Sequence, residues 1–268
     1  FDTVVEIEKL GRTSITHRIT MTKVGGPLVC TGGFTAALVR DVHTPQIKAH
    51  PFPDIWRERI EGYMRECELR PTGVKSRRDV LDFWFTPAGS PERGQSREIW
   101  FARQNAGGSE FDTEIREKFS TTIDAAARGN LDHWSYSLDG TLALLILLDQ
   151  FTRNIHRGTA AAFANDAKAL ALAKHGVEAG WLEGVDTLIT KFFVLPYTHS
   201  ENLDDQEQGL QLAEILRSTE NGEKSYEAAV KHRELIIEYG RFPHRNAALA
   251  RANTAAEEEY LKDPEAGF

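Results

Sequence analysis

A set of cysteines large enough for a disulfide framework, long apolar runs and an excess of positive charge are all missing from this 268-residue chain. Two cysteines cannot form a disulfide framework, which suits a reducing compartment. The longest apolar run is about half a membrane span, and no signal peptide is visible. The 32 Lys and Arg are outnumbered by 40 Asp and Glu, giving a net charge of −8. These absences predict a cytoplasmic protein that binds neither membrane nor nucleic acid.

The charge deficit is concentrated in the larger, C-terminal part. Residues 1–70 hold 10 Lys and Arg against 9 Asp and Glu, whereas residues 71–268 hold 22 against 31. A polar stretch with Pro71 and Gly73 divides the two parts. We therefore predict a β-rich piece at 1–66, a linker at 67–78 and a helical domain at 79–263. Because the chain begins with Phe1 rather than Met, we expect a fragment or a processed product.

Strand-like alternation dominates the first forty residues. Apolar and polar residues alternate twice, a Gly25-Gly26 turn follows, and a helix is predicted at Asp54–Glu66. The predicted strands of this antiparallel meander are Thr3–Leu10, Thr13–Thr22 and Pro27–Arg40.

Three short motifs here resemble the C-terminal half of a hotdog-fold acyl-CoA thioesterase. They are Val4-Val5-Glu6-Ile7, Leu10-Gly11-Arg12-Thr13-Ser14 and Ala37-Leu38-Val39. The resemblance implies a partial hotdog sheet. The family's catalytic carboxylate lies in the half that this sequence lacks, so we expect no thioesterase activity unless that half is supplied. Because an edge of this partial sheet is open, we expect the N-terminal piece to be poorly ordered, to pack on the helical domain, or to pair with another chain. The sequence does not otherwise determine the oligomeric state.

A fully apolar segment, Leu142–Leu148, is followed directly by polar residues. A helix that is apolar on every side is normally buried, so its polar end should enter the interior or reach its rim. Other helices surround it; one carries apolar residues at a spacing of four along Phe111–Arg128. The fold class is therefore mainly α, a multi-helical domain preceded by a small antiparallel sheet.

Four ordered motifs make this helical part similar to the family of domain of unknown function 924. They are LLDQFTRNIHRGT, AFANDAKALALA, FFVLPYTHSENLDDQ and YGRFPHRNAALARANTAAEEEYL. The resemblance implies a tetratricopeptide-repeat-like fold and no established activity. Thr152 replaces the family's usual Pro, which should let the central helix continue. Ala250 replaces its usual Gly, which we interpret as a looser helix approach.

Polar residues gather at three predicted helix ends, where backbone groups lack partners and buried charges need them. The first end closes the Leu142 helix. The second is a start near Thr198, where Thr198 and Glu201 fit a capping box, and the third is a start at Pro243. We predict one shared cluster. The candidate residues are Asp149, Gln150, Arg153, Asn154, Arg157, His199, Ser200, Glu201, Arg241, His244, Arg245, Asn246 and Arg251.

Three interpretations of this cluster stay open. It is a structural network, in which Asp149 pairs with Arg153 and Glu201 pairs with Arg241 or Arg245. It is a site for a small anionic ligand or an acidic peptide in a binding or scaffold module, with Arg157, Arg241 or Arg251 left unpaired. Or it is a hydrolase-like site using His199 or His244 with a carboxylate, including a Ser200–His244–Asp149 relay. No spacing indicates a metal or a cofactor.

Overall fold

The computed structural model describes residues 2–22, 28–37, 39–40, 48–49, 51–68, 73–87, 89–93, 95–100, 110–218, 222–263 and 266–267. Internal contacts divide the chain into two units, Phe1–Pro71 and Thr72–Phe268. The fold class is as predicted: mainly helical, with a small antiparallel sheet near the N-terminus. Within the described part of the chain, no helix has the length and apolar character needed to cross a membrane.

Three long strands form the sheet of the N-terminal unit, in the order β1-β2-β3. They are β1 (Asp2–Leu10), β2 (Ser14–Thr22) and β3 (Leu28–Ala37). The predicted Gly25-Gly26 turn lies outside the described residues. Two short strands follow, β4 (Val39–Arg40) and β5 (Lys48–Ala49), and then the helix α1 (Asp54–Glu68). The Arg57 guanidinium on α1 donates to the Gly11 carbonyl at 3.0 Å and so ties the helix to the turn between β1 and β2.

The helical unit begins with a capping box. Ser76 and Asp79 each accept a hydrogen bond from the other's backbone N–H, which starts the first helix at Arg77. The α-helices described in this unit are α2 (Arg77–Phe85), α3 (Glu110–Ala127), α4 (Leu138–Leu145), α5 (Thr152–Ile155), α6 (Asp166–Glu178), α7 (Thr187–Thr198), α8 (Leu203–Ala213), α9 (Gly222–Tyr239) and α10 (Ala255–Tyr260).

The apolar segment is buried as predicted: every residue of Leu142–Leu148 is at most 2% exposed. It belongs to one continuous helix in which α4 and α5 are joined by a π-helical segment, Ile146–Phe151. Thr152 continues the helix, and its hydroxyl donates to the Leu148 carbonyl at 2.7 Å. The wide π turn brings Asp149 and Gln150 into the interior, at 1% and 6% exposure.

Close approach of α6 and α7 depends on a glycine. A Cβ at Gly176 would lie only 2.4 Å from the Phe193 ring, so a larger residue would force the helices apart. This contact matters for the polar cluster, because α6 begins at Asp166 and α7 is followed directly by His199.

Pro196 does not end its helix, although proline is disfavoured in a helix interior. It lies inside α7, which continues to Thr198, and the Thr198 hydroxyl donates to the Leu195 carbonyl at 2.9 Å. The predicted helix start at Thr198 is therefore wrong. The next helix, α8, is capped instead by Asn202, whose side chain accepts from the N–H groups of Asp204 and Asp205. His199, Ser200 and Glu201 consequently occupy the turn between two helices.

Pro243 starts a helical segment, as predicted, but a short one. Only Pro243–Arg245 forms a 3-10 turn, and a chain reversal follows in which Ala250 has φ of +53°. That left-handed conformation favours glycine, which explains the family's usual residue there better than a looser helix approach does.

Ala250→Gly should therefore stabilise the protein, by about 0.5–1 kcal/mol in the free energy of unfolding. Urea unfolding followed by circular dichroism measures the change. Ala247→Gly is the matched control, because Ala247 is exposed in the same turn and has no positive φ; it should lower stability slightly. Equal losses in both variants would contradict the explanation.

Candidate functional site

The centre of the polar cluster is a carboxylate–imidazole pair. Asp149 lies in the π-helical segment, and its Oδ1 is 2.7 Å from Nδ1 of His199. Asp149 is 1% exposed, whereas the His199 side chain keeps 13% exposure. Gln150 also donates to the Asp149 carboxylate. A buried carboxylate thus holds the imidazole in one orientation.

Arg153 neutralises the buried carboxylate, as predicted from the i,i+4 spacing. Its Nη1 is 2.9 Å from Asp149 Oδ1, and its Nη2 donates to Asp166 Oδ2 at 2.9 Å. Sequence analysis missed Asp166, although its place at the start of α6 was readable from the AFANDAKALALA motif. The same Asp166 oxygen accepts from Arg245 Nη1 at 3.3 Å, so one carboxylate serves two guanidiniums.

These contacts settle the charges of the pair at neutral pH. Burial alone would raise the pKa of Asp149, but Arg153 and His199 outweigh burial and hold that pKa well below its usual range. Burial lowers the pKa of His199 and Arg153 lowers it further, with Asp149 opposing them only in part. Asp149 is therefore ionised and His199 neutral.

Two further histidines lie beside this pair. The rings of His199 and His232 are 6.1 Å apart, the His232 and Phe242 rings 5.6 Å, and the Phe242 and His244 rings 5.5 Å. Burial lowers the pKa of His232 to about 3, and burial with the neighbouring Arg245 lowers the pKa of His244 to about 4. Both imidazoles are neutral in the folded protein, and His232 is a member that sequence analysis missed.

Glu201 links the turn after α7 to the C-terminal segment. Its carboxylate accepts two hydrogen bonds from Arg251, at 2.6 and 2.9 Å, and one from the Phe242 N–H at 2.8 Å. Arg251 also donates to Asn246 at 2.9 Å. These contacts join eight candidate residues, through Asp166, His232 and Phe242, into one connected group, which we call the His199 cluster. The eight are Asp149, Arg153, His199, Glu201, His244, Arg245, Asn246 and Arg251.

Four candidate residues instead bond to acids that sequence analysis did not include. Arg157 and Asn154 both bond to Asp112, at 3.0 and 2.7 Å. Their partner lies in the first turn of α3 and is 2% exposed. The remaining two pairs are Arg241 with Glu257, at 2.6 Å, and Ser200 with Asp205, at 2.7 Å.

Three specific expectations are therefore wrong. No candidate arginine is left without a carboxylate: Arg157, Arg241 and Arg251 are each paired. Glu201 takes Arg251 rather than Arg241 or Arg245, because the C-terminal reversal at Ala250 turns Arg251 toward it. The Ser200–His244–Asp149 relay does not form, because Ser200 donates to Asp205 and Asp149 binds His199. No group of three potential metal ligands occurs among the described residues.

The fold and the cluster define a helical protein with a neutral histidine held by a buried, charge-compensated carboxylate. Residues 80–265 match the family model described as "Bacterial protein of unknown function (DUF924)", so the chain belongs to that family. It is also similar to a solved protein of unknown function from Agrobacterium tumefaciens, with 35% identity and a TM-score of 0.59 over 70% of this chain and 97% of that one. No protein with a curated description matches.

Proposed function

We propose that the helical unit is a hydrolase-like enzyme in which the Asp149–His199 pair removes a proton from water beside a small anionic substrate. The observation that carries the proposal is the 2.7 Å contact between Asp149 Oδ1 and His199 Nδ1. An ionised carboxylate accepts the Nδ1–H, which leaves the lone pair of a neutral imidazole on Nε2. The one hydrogen bond that the described residues make to the His199 ring is on Nδ1.

The protonation states of Asp149 and His199 suit a general base. A neutral imidazole accepts a proton at pH 7, and the carboxylate behind it stabilises the imidazolium that forms. Arg153 keeps that carboxylate ionised while lowering the affinity of the resting imidazole for a proton. Water is the proposed nucleophile, because the Ser200 hydroxyl is committed to Asp205.

A binding or scaffold module is the second candidate, favoured by the number of guanidiniums in the cluster. It is weaker, because each candidate arginine already has a carboxylate partner. Of the two predicted ligands we retain the small anionic molecule and set aside the acidic peptide. Arg245 is only 6% exposed, which leaves no room for a peptide to lie across it.

His199→Asn should abolish this chemistry while leaving the fold intact. On a panel of small carboxylate esters, amides and phosphate monoesters, we expect any turnover to fall by about 10²- to 10⁴-fold, the usual contribution of a positioned base. The control is His175→Asn, an exposed histidine on α6. Wild-type turnover should rise with pH through the lowered pKa of His199 and then level off.

A second measurement needs no substrate. Long-range ¹H–¹⁵N NMR of histidine-labelled protein should show His199 as the neutral Nδ1–H tautomer at pH 7, a signal that His199→Asn removes. An imidazolium at that pH, or a proton on Nε2, would refute the proposed base. If the tautomer is as stated but no panel member turns over, the binding module takes precedence.

We also propose the finer resemblances as hypotheses. The helical domain at 79–263 is tetratricopeptide-repeat-like, supported by the packing of each of the helices α6 to α9 on the next one along the chain. Residues 1–66 derive from a hotdog thioesterase, supported by the three-stranded antiparallel sheet. A cytoplasmic location, the linker at 67–78 and self-association through the sheet edge remain predictions. Rapid acyl-CoA hydrolysis by this 268-residue chain would contradict the loss of thioesterase function.

A further inference from the structure

Arg245 has an environment unlike that of the other candidate arginines. Its guanidinium carbon lies 4.6 Å from the centre of the Phe163 ring and 4.5 Å from the centre of the Phe242 ring. Stacked rings occupy the face of a guanidinium and leave its edges for hydrogen bonding. One terminal nitrogen, Nη1, donates to Asp166 Oδ2 at a rather long 3.3 Å.

The other edge of this guanidinium is not used. Nε of Arg245 is buried without a hydrogen-bond partner in the described part of the chain, and Nη2 makes no hydrogen bond to any described residue. Nε and Nη2 together form the side of an arginine that binds a carboxylate through two parallel hydrogen bonds. Burial and the nearby Arg153 lower the pKa of Arg245 to about 10, so the group is still a cation at neutral pH.

The carboxylate that pairs with Arg245 also has an unused oxygen. Asp166 Oδ2 is shared by Arg153 and Arg245, while Asp166 Oδ1 is buried and accepts nothing from the described residues. A buried polar atom without a partner is costly, and such atoms in a native protein call for an explanation. This ion pair thus offers an unused donor edge on Arg245 and an unused acceptor on Asp166, which together are complementary to a small molecule carrying both an acceptor and a donor.

We propose that Arg245 and Asp166 bind a small carboxylate that carries a hydrogen-bond donor on the adjacent carbon, that is, a 2-hydroxy or 2-amino carboxylate. The carboxylate takes the Nε–Nη2 edge of Arg245, and the hydroxyl or ammonium donates to Asp166 Oδ1. The faces of the guanidinium are covered by the Phe163 and Phe242 rings, so a ligand has to bind in its plane. A planar carboxylate fits that arrangement better than a tetrahedral phosphate.

This assignment names the substrate class of the proposed function and rests on it for the role of His199. Arg153 joins the two sites, because it bonds both to Asp149, the partner of His199, and to Asp166, the partner of Arg245. The rings of His232 and Phe242 connect them on another side. A carboxylate on Arg245 therefore lies in the same cluster as the proposed base.

Glycolate, acetate and inorganic phosphate are the probes, titrated into the full 268-residue chain at constant ionic strength. The Arg245 Nε–Hε signal in ¹⁵N-labelled protein, assigned by its loss in Arg245→Lys, reports the contact directly. We expect glycolate and acetate to shift it, with glycolate about fivefold to tenfold tighter because of the additional hydrogen bond to a charged acceptor. Glycine tests the ammonium in place of the hydroxyl.

Two variants separate the contributions. Arg245→Lys keeps the charge but removes the bidentate edge and should weaken glycolate about tenfold or more; Arg157→Lys, whose arginine pairs with Asp112, should not. Asp166→Asn should abolish the preference for glycolate over acetate. Should either variant fail to fold, the ratio of the glycolate and acetate affinities of the wild type still decides the matter.

Several results would overturn the assignment: no Hε shift with either carboxylate, a shift with phosphate alone, or equal affinities for glycolate and acetate in the wild type. His199→Asn distinguishes this proposal from the proposed function. Unchanged glycolate binding by that variant supports the carboxylate site whether or not catalysis is found. Undiminished turnover by the same variant removes the base and leaves the binding site standing.

Discussion

Acidification from pH 6.5 toward pH 4 is expected to destabilise the helical unit steeply. His232 and His244 are neutral in the folded state, with pKa values lowered by burial to about 3 and about 4. In the unfolded chain the pKa of each histidine returns to about 6.5. Between these values the unfolded state binds more protons than the folded state, so stability falls as pH falls, by up to about 1.4 kcal/mol per pH unit for each histidine. The pKa of His199 is also lowered by burial, so His199 adds to the dependence of stability on pH.

Urea unfolding at half-unit pH intervals measures this slope. The double variant His232→Gln, His244→Gln should flatten it between pH 6 and 4.5, whereas the exposed His175→Gln should not. The carboxylates Asp149 and Glu201 have lowered pKa values and lose their contribution only below about pH 4, their unfolded range. A flat wild-type profile from pH 6.5 to 4.5 would show that these histidines are not held neutral by burial.

Asp149→Ala is expected to be among the most damaging single substitutions. Without the Asp149 carboxylate, Arg153 keeps only Asp166 as a partner, and Asp166 also pairs with Arg245. The substitution also removes the partner of His199 and most of a side chain at a fully buried position. Removing one partner of a buried ion pair costs about 3–5 kcal/mol, because the remaining charge is left uncompensated. Thermal and urea unfolding should both register the loss.

Glu214→Ala provides the contrast. Glu214 pairs with Arg217, but both side chains are about half exposed, at 57% and 42%. Solvent screens such a pair, so the substitution should cost less than about 1 kcal/mol. If the two variants lose similar stability, the buried cluster is not the structural centre of this unit. Asp149→Asn separates the roles: it keeps the shape, and a stable variant without activity would assign the carboxylate to chemistry.

Sequence periodicity determined the elements that depend on local pattern and burial alone. The buried Leu142–Leu148 segment and the α3 stripe of Phe111, Ile115, Phe119 and Ile123 have no polar alternative, so hydrophobic burial permits one arrangement. Pairing of Asp149 with Arg153 followed from their spacing on one helix. Membership of the family was likewise readable from ordered motifs.

Only the tertiary structure decided which distant charges pair and what remains unpaired. Asp112, Asp166, Asp205 and Glu257 reach the candidate residues through helix packing, and no local pattern encodes such contacts. The π turn and the helical Pro196 also required surrounding structure to override local preference. Long-range pairing is set by the geometry of packed helices, and for that reason the unused edge of Arg245 is visible only in the folded protein.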